Sequence, residues 1–394
     1  MKKSFYNKTL LIWMFLQIGP LGALFGQGIW TNYTIENTIM VDSHINDILI
    51  IDGVKWIGTN WGLYSFDNTT WLDYSEYLPN KQVRSISIDN NGVLYVSTIS
   101  GIAVYDGQDW SQLTPSNSIL PGHINKIIFD NNNVGYIGSI NGLYKFENDI
   151  ISLVLDSSSL ESEFINVSTL TFKGDSLCIG TVNGGLAYLY NDSINWYNSA
   201  NGLIDNTSTD LLVHEENLWI TAPYAGLIAH LLNENFIVFN NEVFQNWPSN
   251  SLNCITSTSK GIFIGSDGGG FFEFSYQGGI QNTTTYTTQN SSLIDNTVLC
   301  ISEGDDGFWI GTETGLVNWK ENSNIQYSQN NDNSIFSLKN DILSLKTSST
   351  VLVYSINGQQ VINKESVDKI NLSSLKTGFY ILSINNNHRL IQVD

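Results

Sequence analysis

The chain has 394 residues, of which 42% are hydrophobic, 12% aromatic and 14% charged; ordinary soluble proteins carry about 25% charged residues. A formal charge of −20 argues against nucleic acid, whose binding rests on clustered Lys and Arg, and it offers no attraction to an anionic membrane surface. Apolar residues spread along the whole length exclude a disordered chain, and six prolines among 33 glycines exclude a collagen-like or proline-rich one.

Lys2, Lys3 and Lys8 precede the apolar run LLIWMFLQIGPLGALF, Leu10 to Phe25, which ends in small residues near Gly26. A basic stretch, an apolar core and a small-residue boundary predict a secretory signal peptide over 1–26. The run is broken by Gln17, Gly19 and Pro20 and is shorter than the about 20 apolar residues of a membrane span. No cysteine follows it to take a lipid. The expectation is an exported protein with no membrane span after cleavage.

From Trp56 one phrase recurs: WIGTNWGLYSF, YVSTISGIAVY from Tyr95, YIGSINGLYKF from Tyr136 and CIGTVNGGLAYL from Cys178. It continues as WITAPYAGLIAH from Trp219, FIGSDGGGFFEF from Phe263 and WIGTETGLVNW from Trp309. The spacings are 39, 41, 42, 41, 44 and 46 residues, the period of a four-stranded propeller blade. Each copy reads as a strand, a glycine turn and a second strand. An apolar stretch lies before it, as in VRSISIDNNG from Val83, and an aromatic strand after it, as at Trp71 and Tyr74. No segment carries a sustained helical period.

A unit of four strands cannot bury both faces alone, so seven units are expected to stack into a closed ring. GIWTNYT, from Gly28, has the outer-strand pattern and is expected to complete the blade of Trp309, with IQYS from Ile325 as its competitor. Trp56, Trp71, Trp110, Trp219 and Trp309 recur with the repeat and are expected in the core.

The phrase Trp-Ile-Gly-Thr-x-x-Gly-Leu resembles the two-component-regulator propeller family across roughly Ile29 to Tyr327. Copy five departs at Thr221, Ala222 and Pro223, and copy six is enriched at Gly268, Gly269 and Gly270. In that family such propellers often form the sensing part of hybrid histidine kinases. No kinase or receiver segment is read here, so that signalling role is not carried over.

Around Ser337 the character changes. Residues 338–394 hold six basic and four acidic residues, against eight and 33 in 27–337. The propeller is therefore expected over 27–327, a linker over 328–337 and a small C-terminal β-sandwich over 338–394. VLVYSINGQQVI, INLSSLKTGFYILSI and the terminal RLIQVD resemble the type A sorting domain of type IX secretion; FSLKNDILSL, from Phe336, stands where that family usually has Pro-Asn-Pro. The resemblance implies handling by the type IX machinery and export across the outer membrane of a Bacteroidetes-type bacterium, to a secreted or cell-surface location.

Catalytic and metal signatures are missing from the sequence. His44, His123, His214, His230 and His388 are scattered without pairing, and Cys178, Cys254 and Cys300 sit singly in apolar stretches as small buried hydrophobes. Asp305-Asp306-Gly307 and Asp89-Asn90-Asn91 lack the alternating acids of a calcium loop and are read as polar turns, with a weak surface calcium site as the alternative. No cofactor and no catalytic residue is assigned.

Binding is expected on the face that carries both the turns inside the phrase and the crossovers between blades. The phrase turns offer Trp61, Tyr224, Asp267 and Glu313, and the crossovers offer Tyr77, His123 and Trp247. Arg84 stands at the head of an inner strand and is expected to point into the channel. Exposed aromatics there would stack on sugars or anchor a protein partner; packing between blades is the alternative for Trp61 and Trp247. The sequence thus describes an exported all-β, seven-bladed propeller that binds a glycan or protein ligand, with a polysaccharide lyase or glycosidase as the alternative.

Overall fold

The phrase folds as two antiparallel strands: in the first copy Val54–Thr59 pairs with Gly62–Phe66. The computed structural model describes residues 28–156, 165–231, 236–244, 247–277, 280–321, 336–339, 342–355, 360–376, 378–384 and 387–393. The leader, the competing segment at Ile325 and residues 328–335 of the expected linker lie outside them. Two units are separate, Gly28–Glu321 and the C-terminal one from Asn322.

Each polar or small residue of the phrase has a structural job. A Cβ on Gly58 would lie 2.4 Å from Val83 Cγ1, and one on Gly311 2.7 Å from Ile45 Cγ2, so this glycine lets the next blade's inner strand close on the sheet. The Thr or Ser after it clips the turn. Thr59 Oγ1 accepts the Trp61 N–H at 3.0 Å and donates to the Gly62 carbonyl at 3.2 Å, and Thr98, Ser139, Thr181, Ser266 and Thr312 donate to the matching glycine carbonyl. Gly270 ends its turn at φ +75°, where a Cβ would also strike the Tyr286 carbonyl.

Seven four-stranded antiparallel sheets result among the described residues. The inner strands are Ile45–Ile51, Val83–Ile88, Ile124–Phe129, Asn166–Lys173, Asp210–His214, Leu252–Thr258 and Val298–Gly304. Each touches the next in chain order and the seventh touches the first, which closes the ring. The second strand of each blade is covered on both faces, so Ile57, Val96, Ile137, Ile179, Ile264 and Ile310 are buried. Apolar runs there, rather than strict alternation, follow from that double coverage.

The last blade is completed by the N-terminal strand Ile29–Tyr33, which pairs with Leu316–Lys320. Trp30 stacks on Trp319 at 5.4 Å and Tyr33 on Trp309 at 5.5 Å. Across the same seam buried Lys55 of blade 1 binds the Asp306 carboxylate of blade 7 and lies 4.7 Å from the Trp309 ring. The recurring tryptophans divide by strand. Trp56, Trp219 and Trp309 are buried, whereas Trp71 and Trp110, on outer strands, are half-buried and stack on Phe66 and Tyr105.

The C-terminal unit is a five-stranded sheet. Its long strand Ile342–Ser355 pairs with Phe336–Lys339, Gln360–Asn371 and Gly378–Ile384, and the last of these with Asn387–Val393. Register shifts between Ser344 and Val351 break the long strand into two halves. Leu343 of one half and Val351 and Val353 of the other share a core with Ile370, Leu382 and Ile384.

Candidate functional site

At the start of each inner strand a buried anchor is followed by a residue that reaches for the next blade. The anchors include Ile45, Val83, Ile124, Val167, Leu252 and Val298, all fully buried. In six blades the register slips by one residue just after the anchor, which turns the following side chain toward the channel mouth. Asn46 Nδ2 donates to the Val83 carbonyl at 2.8 Å, Asn125 Nδ2 to Val167 at 2.8 Å and Asn253 Nδ2 to Val298 at 3.0 Å. Ser168 and Thr209 reach the carbonyls of Ser208 and Leu252 at 2.6 and 2.7 Å. A short polar side chain thus ties five of the seven blades to the next. Arg84 and Leu299 hold the two remaining positions and make no such bond among the described residues.

Below them a charged layer is spent on the fold. Asp47 Oδ2 accepts the Ile86 N–H at 2.7 Å, and Asp210 Oδ2 accepts the Ile255 N–H at 3.2 Å. Lys126 Nζ lies 3.4 Å from Asp210 Oδ1, and that carboxylate raises the pKa of Lys126. Burial pushes the Asp47 carboxyl up, partly offset by the N–H of Ile86 and by Lys126.

Arg84 is different. It is exposed, yet the surrounding protein desolvates the guanidinium and pulls its pKa down. Half-buried His123, at the head of the next blade's inner strand, is lowered first by burial and then by the positive charge of Arg84.

On the rim beside Arg84, the blade 1 turn and the crossover into blade 2 enclose a cleft of about 490 Å³ lined by Asn60, Trp61, Asn80, Lys81, Gln82 and Ile99. Its amides are linked: Asn60 Oδ1 accepts from Asn46 Nδ2 at 3.0 Å and from Gln82 Nε2 at 3.2 Å. Trp61 is 61% exposed. Of the lining residues only Trp61 is expected from the sequence; Asn60, Asn80, Lys81, Gln82 and Ile99 are not, and only the position of Gln82, two residues ahead of Arg84, points there.

The predicted candidates are not gathered in one place. Tyr224, on the blade 5 turn, is 82% exposed; Asp267 and Glu313 are exposed on the turns of blades 6 and 7, with Asp267 Oδ1 accepting from Thr297 at 3.3 Å. Tyr77 lies flat on Trp110 of an outermost strand, centroids 5.4 Å apart, so it stands at the periphery rather than at the mouth. Trp247 must be corrected. It is 6% exposed, packed with Phe239, Phe272 and Phe274, and cannot offer the open ring expected of it. The reason is positional: it lies five residues before its anchor, where other crossovers carry buried Met40, Leu78, Leu203 and Leu293.

The cysteines are free and buried, and burial raises the Cys178 thiol to about 12. In the two acidic turns considered for calcium, Asp89 and Asp306 bond protein groups. Asp89 accepts the N–H of Asn91 and Val93 and the Asn133 amide, and Asp306 accepts from Lys55 and Trp309.

Residues 321–393 match the family model of the secretion system C-terminal sorting domain, and residues 292–314 match that of the two component regulator propeller. No curated protein matches the chain. Among solved structures, the extracellular domain of a putative hybrid two component system of B. thetaiotaomicron is similar at TM-score 0.64 and 15% identity, over 93% of this chain and 57% of that one. PorZ, an essential surface component of the type-IX secretion system of Porphyromonas gingivalis, is similar at TM-score 0.55 and 13% identity, over 90% and 59%. The chain thus spans less than two thirds of either. Virginiamycin B lyase from Staphylococcus aureus is similar at TM-score 0.59 and 13% identity, over 73% and 97%. At these identities the likeness shows the fold, while the sorting domain places the protein outside the cell, secreted or at the surface. The chain is thus a seven-bladed propeller in which residues 292–314 match the two component regulator propeller repeat, followed by a unit that matches the secretion system C-terminal sorting domain.

Proposed function

We propose that this protein is an exported binding module, and that a saccharide docks at the channel-mouth face against Trp61. The supporting observation is the cleft itself. An indole 61% exposed beside linked Asn60, Gln82 and Asn46 amides offers an apolar plane for a sugar face and several donors and acceptors for its hydroxyls. Concave sites with a few convergent polar groups are the usual form of a ligand pocket. The reading needs no cofactor or metal, and the extracellular neighbours agree with a surface role.

A glycan array probed with the full chain tests it. Retention of one saccharide class, weakened about tenfold or more in Trp61→Ala at unchanged Tm, supports the proposal. A blank array transfers the face to a protein partner, and equal binding by the variant moves the site elsewhere. New reducing ends on the retained glycan would establish the alternative, a lyase or glycosidase on the same scaffold.

A further inference from the structure

The titratable side chains of the two tiers at the channel mouth all stand in blades 1 to 3. The residue just before each buried anchor is His44 in blade 1, Gln82 in blade 2 and His123 in blade 3, and a neutral Asn, Thr or Ser in blades 4 to 7. The clasping tier has Arg84 in blade 2 and neutral residues elsewhere. Neither tier holds a carboxylate. The acids on this face lie outside the two tiers, on the turns at Asp267 and Glu313 and on the crossovers at Asp42, Asp205 and Asp295, which accept the N–H of His44, Thr207 and Thr297. Lys126, Asp47 and Asp210 bond one another or the backbone in the layer below.

This asymmetry stands against the composition. Residues 27–337 hold eight basic and 33 acidic residues, and Arg84 is their only arginine. Five equivalent positions spend a side chain on clasping the next blade, whereas Arg84 forms no hydrogen bond or ion pair among the described residues. An exposed guanidinium that the fold does not use keeps all its donors for a ligand, and its planar fork matches an oxyanion.

We propose that Arg84 and His123 hold an oxyanion at the channel mouth, the carboxylate, sulfate or phosphate group of an acidic glycan whose sugar rings lie against Trp61. This rests on the saccharide reading and names its chemical class. Gln82 joins the two places, since its amide bonds Asn60 in the cleft and it precedes Arg84 by two residues. Lys81, on the cleft wall, adds a second positive charge beside the sugar.

The test follows the five histidine Cε1–H signals of the full chain by NMR, at fixed pH, during titration with inorganic phosphate, sulfate, glucuronate or glucose. A saturable shift of His123 with at least one anion and none with glucose is expected, and the tightest anion identifies the acidic group. His214 and His230, away from the mouth, should stay still. Arg84→Gln should weaken binding by about tenfold or more, the loss expected for a charge-assisted contact, and Arg84→Lys, which keeps the charge, should retain part of it. No saturable shift of His123, or equal titration of Arg84→Gln, overturns the proposal. The two readings fail separately: a blank array with His123 responding to anions removes the saccharide, whereas neutral glycans bound at Trp61 with His123 silent remove the anion.

Discussion

Trp61 and Trp247 carry the same side chain to opposite ends of the burial scale, and their surroundings decide which is available to a ligand. Trp247 fills the apolar position five residues before its anchor and touches Phe239, Phe272 and Phe274. Trp61 follows a hydroxyl clip that fixes its backbone and leaves its ring outside every aromatic stack of the described residues. In thermal or urea unfolding, Trp247→Ala should lose about 3–5 kcal/mol, as large-to-small core changes do. Trp61→Ala should stay within about 0.5 kcal/mol of the parent. Equal losses would mean that both rings are structural. The plug position was legible in the sequence, because Met40, Leu78, Leu203 and Leu293 stand at the same distance from their anchors. Residue type alone hides it, since an aromatic at that position looks like a surface anchor until the crossovers are aligned on the strand that follows.

At the scale of the element, the seam between the first and last blades carries the ring. Its two devices are the strand Ile29–Tyr33 and the pair Lys55–Asp306. The strand was legible, since Trp30 and Tyr33 repeat the spacing of Trp71 and Tyr74. The ion pair was not, because its partners lie 251 residues apart and meet only when the ring closes. Burial pushes the Asp306 carboxyl up, but bonds from Lys55, Trp309 and Asn68 outweigh it and hold its pKa below 3.8. A carboxyl whose folded value is depressed adds stability above its unfolded value, and that stability is lost as pH falls through the folded one. Unfolding measured from pH 6 downward should therefore show Asp306→Asn less stable at neutral pH, with the gap to the parent narrowing as pH drops below 3.8. A gap that is constant across that window would show that the pair does not hold the seam.

Across the whole molecule, charge and address are divided. The propeller segment holds the acidic residues and the C-terminal unit is slightly basic, so the composition shift and the sorting-domain resemblance pointed to the same division. The repeat fixed the blade number because one phrase carries the inter-blade glycine, the hydroxyl clip and the turn glycine together. The site was only partly legible, since its residues come from the turn of one blade and the crossover into the next, and their meeting depends on how the blades pack. A strongly acidic protein repels acidic polymers except where positive charge is concentrated, so retention by such a polymer requires a local site and should weaken with salt. The most direct measurement is native affinity electrophoresis of the full chain through gels holding single neutral or acidic polysaccharides, with Trp61→Ala and the control Tyr190→Ala alongside. Tyr190 is an exposed ring at the hairpin between Leu186–Tyr190 and Ser193–Tyr197, at the blade end away from the phrase turn. Retardation of the parent and of Tyr190→Ala by an acidic polysaccharide, with Trp61→Ala running free, is the expected result; equal mobility of all three in every gel would contradict a ligand site at the channel mouth.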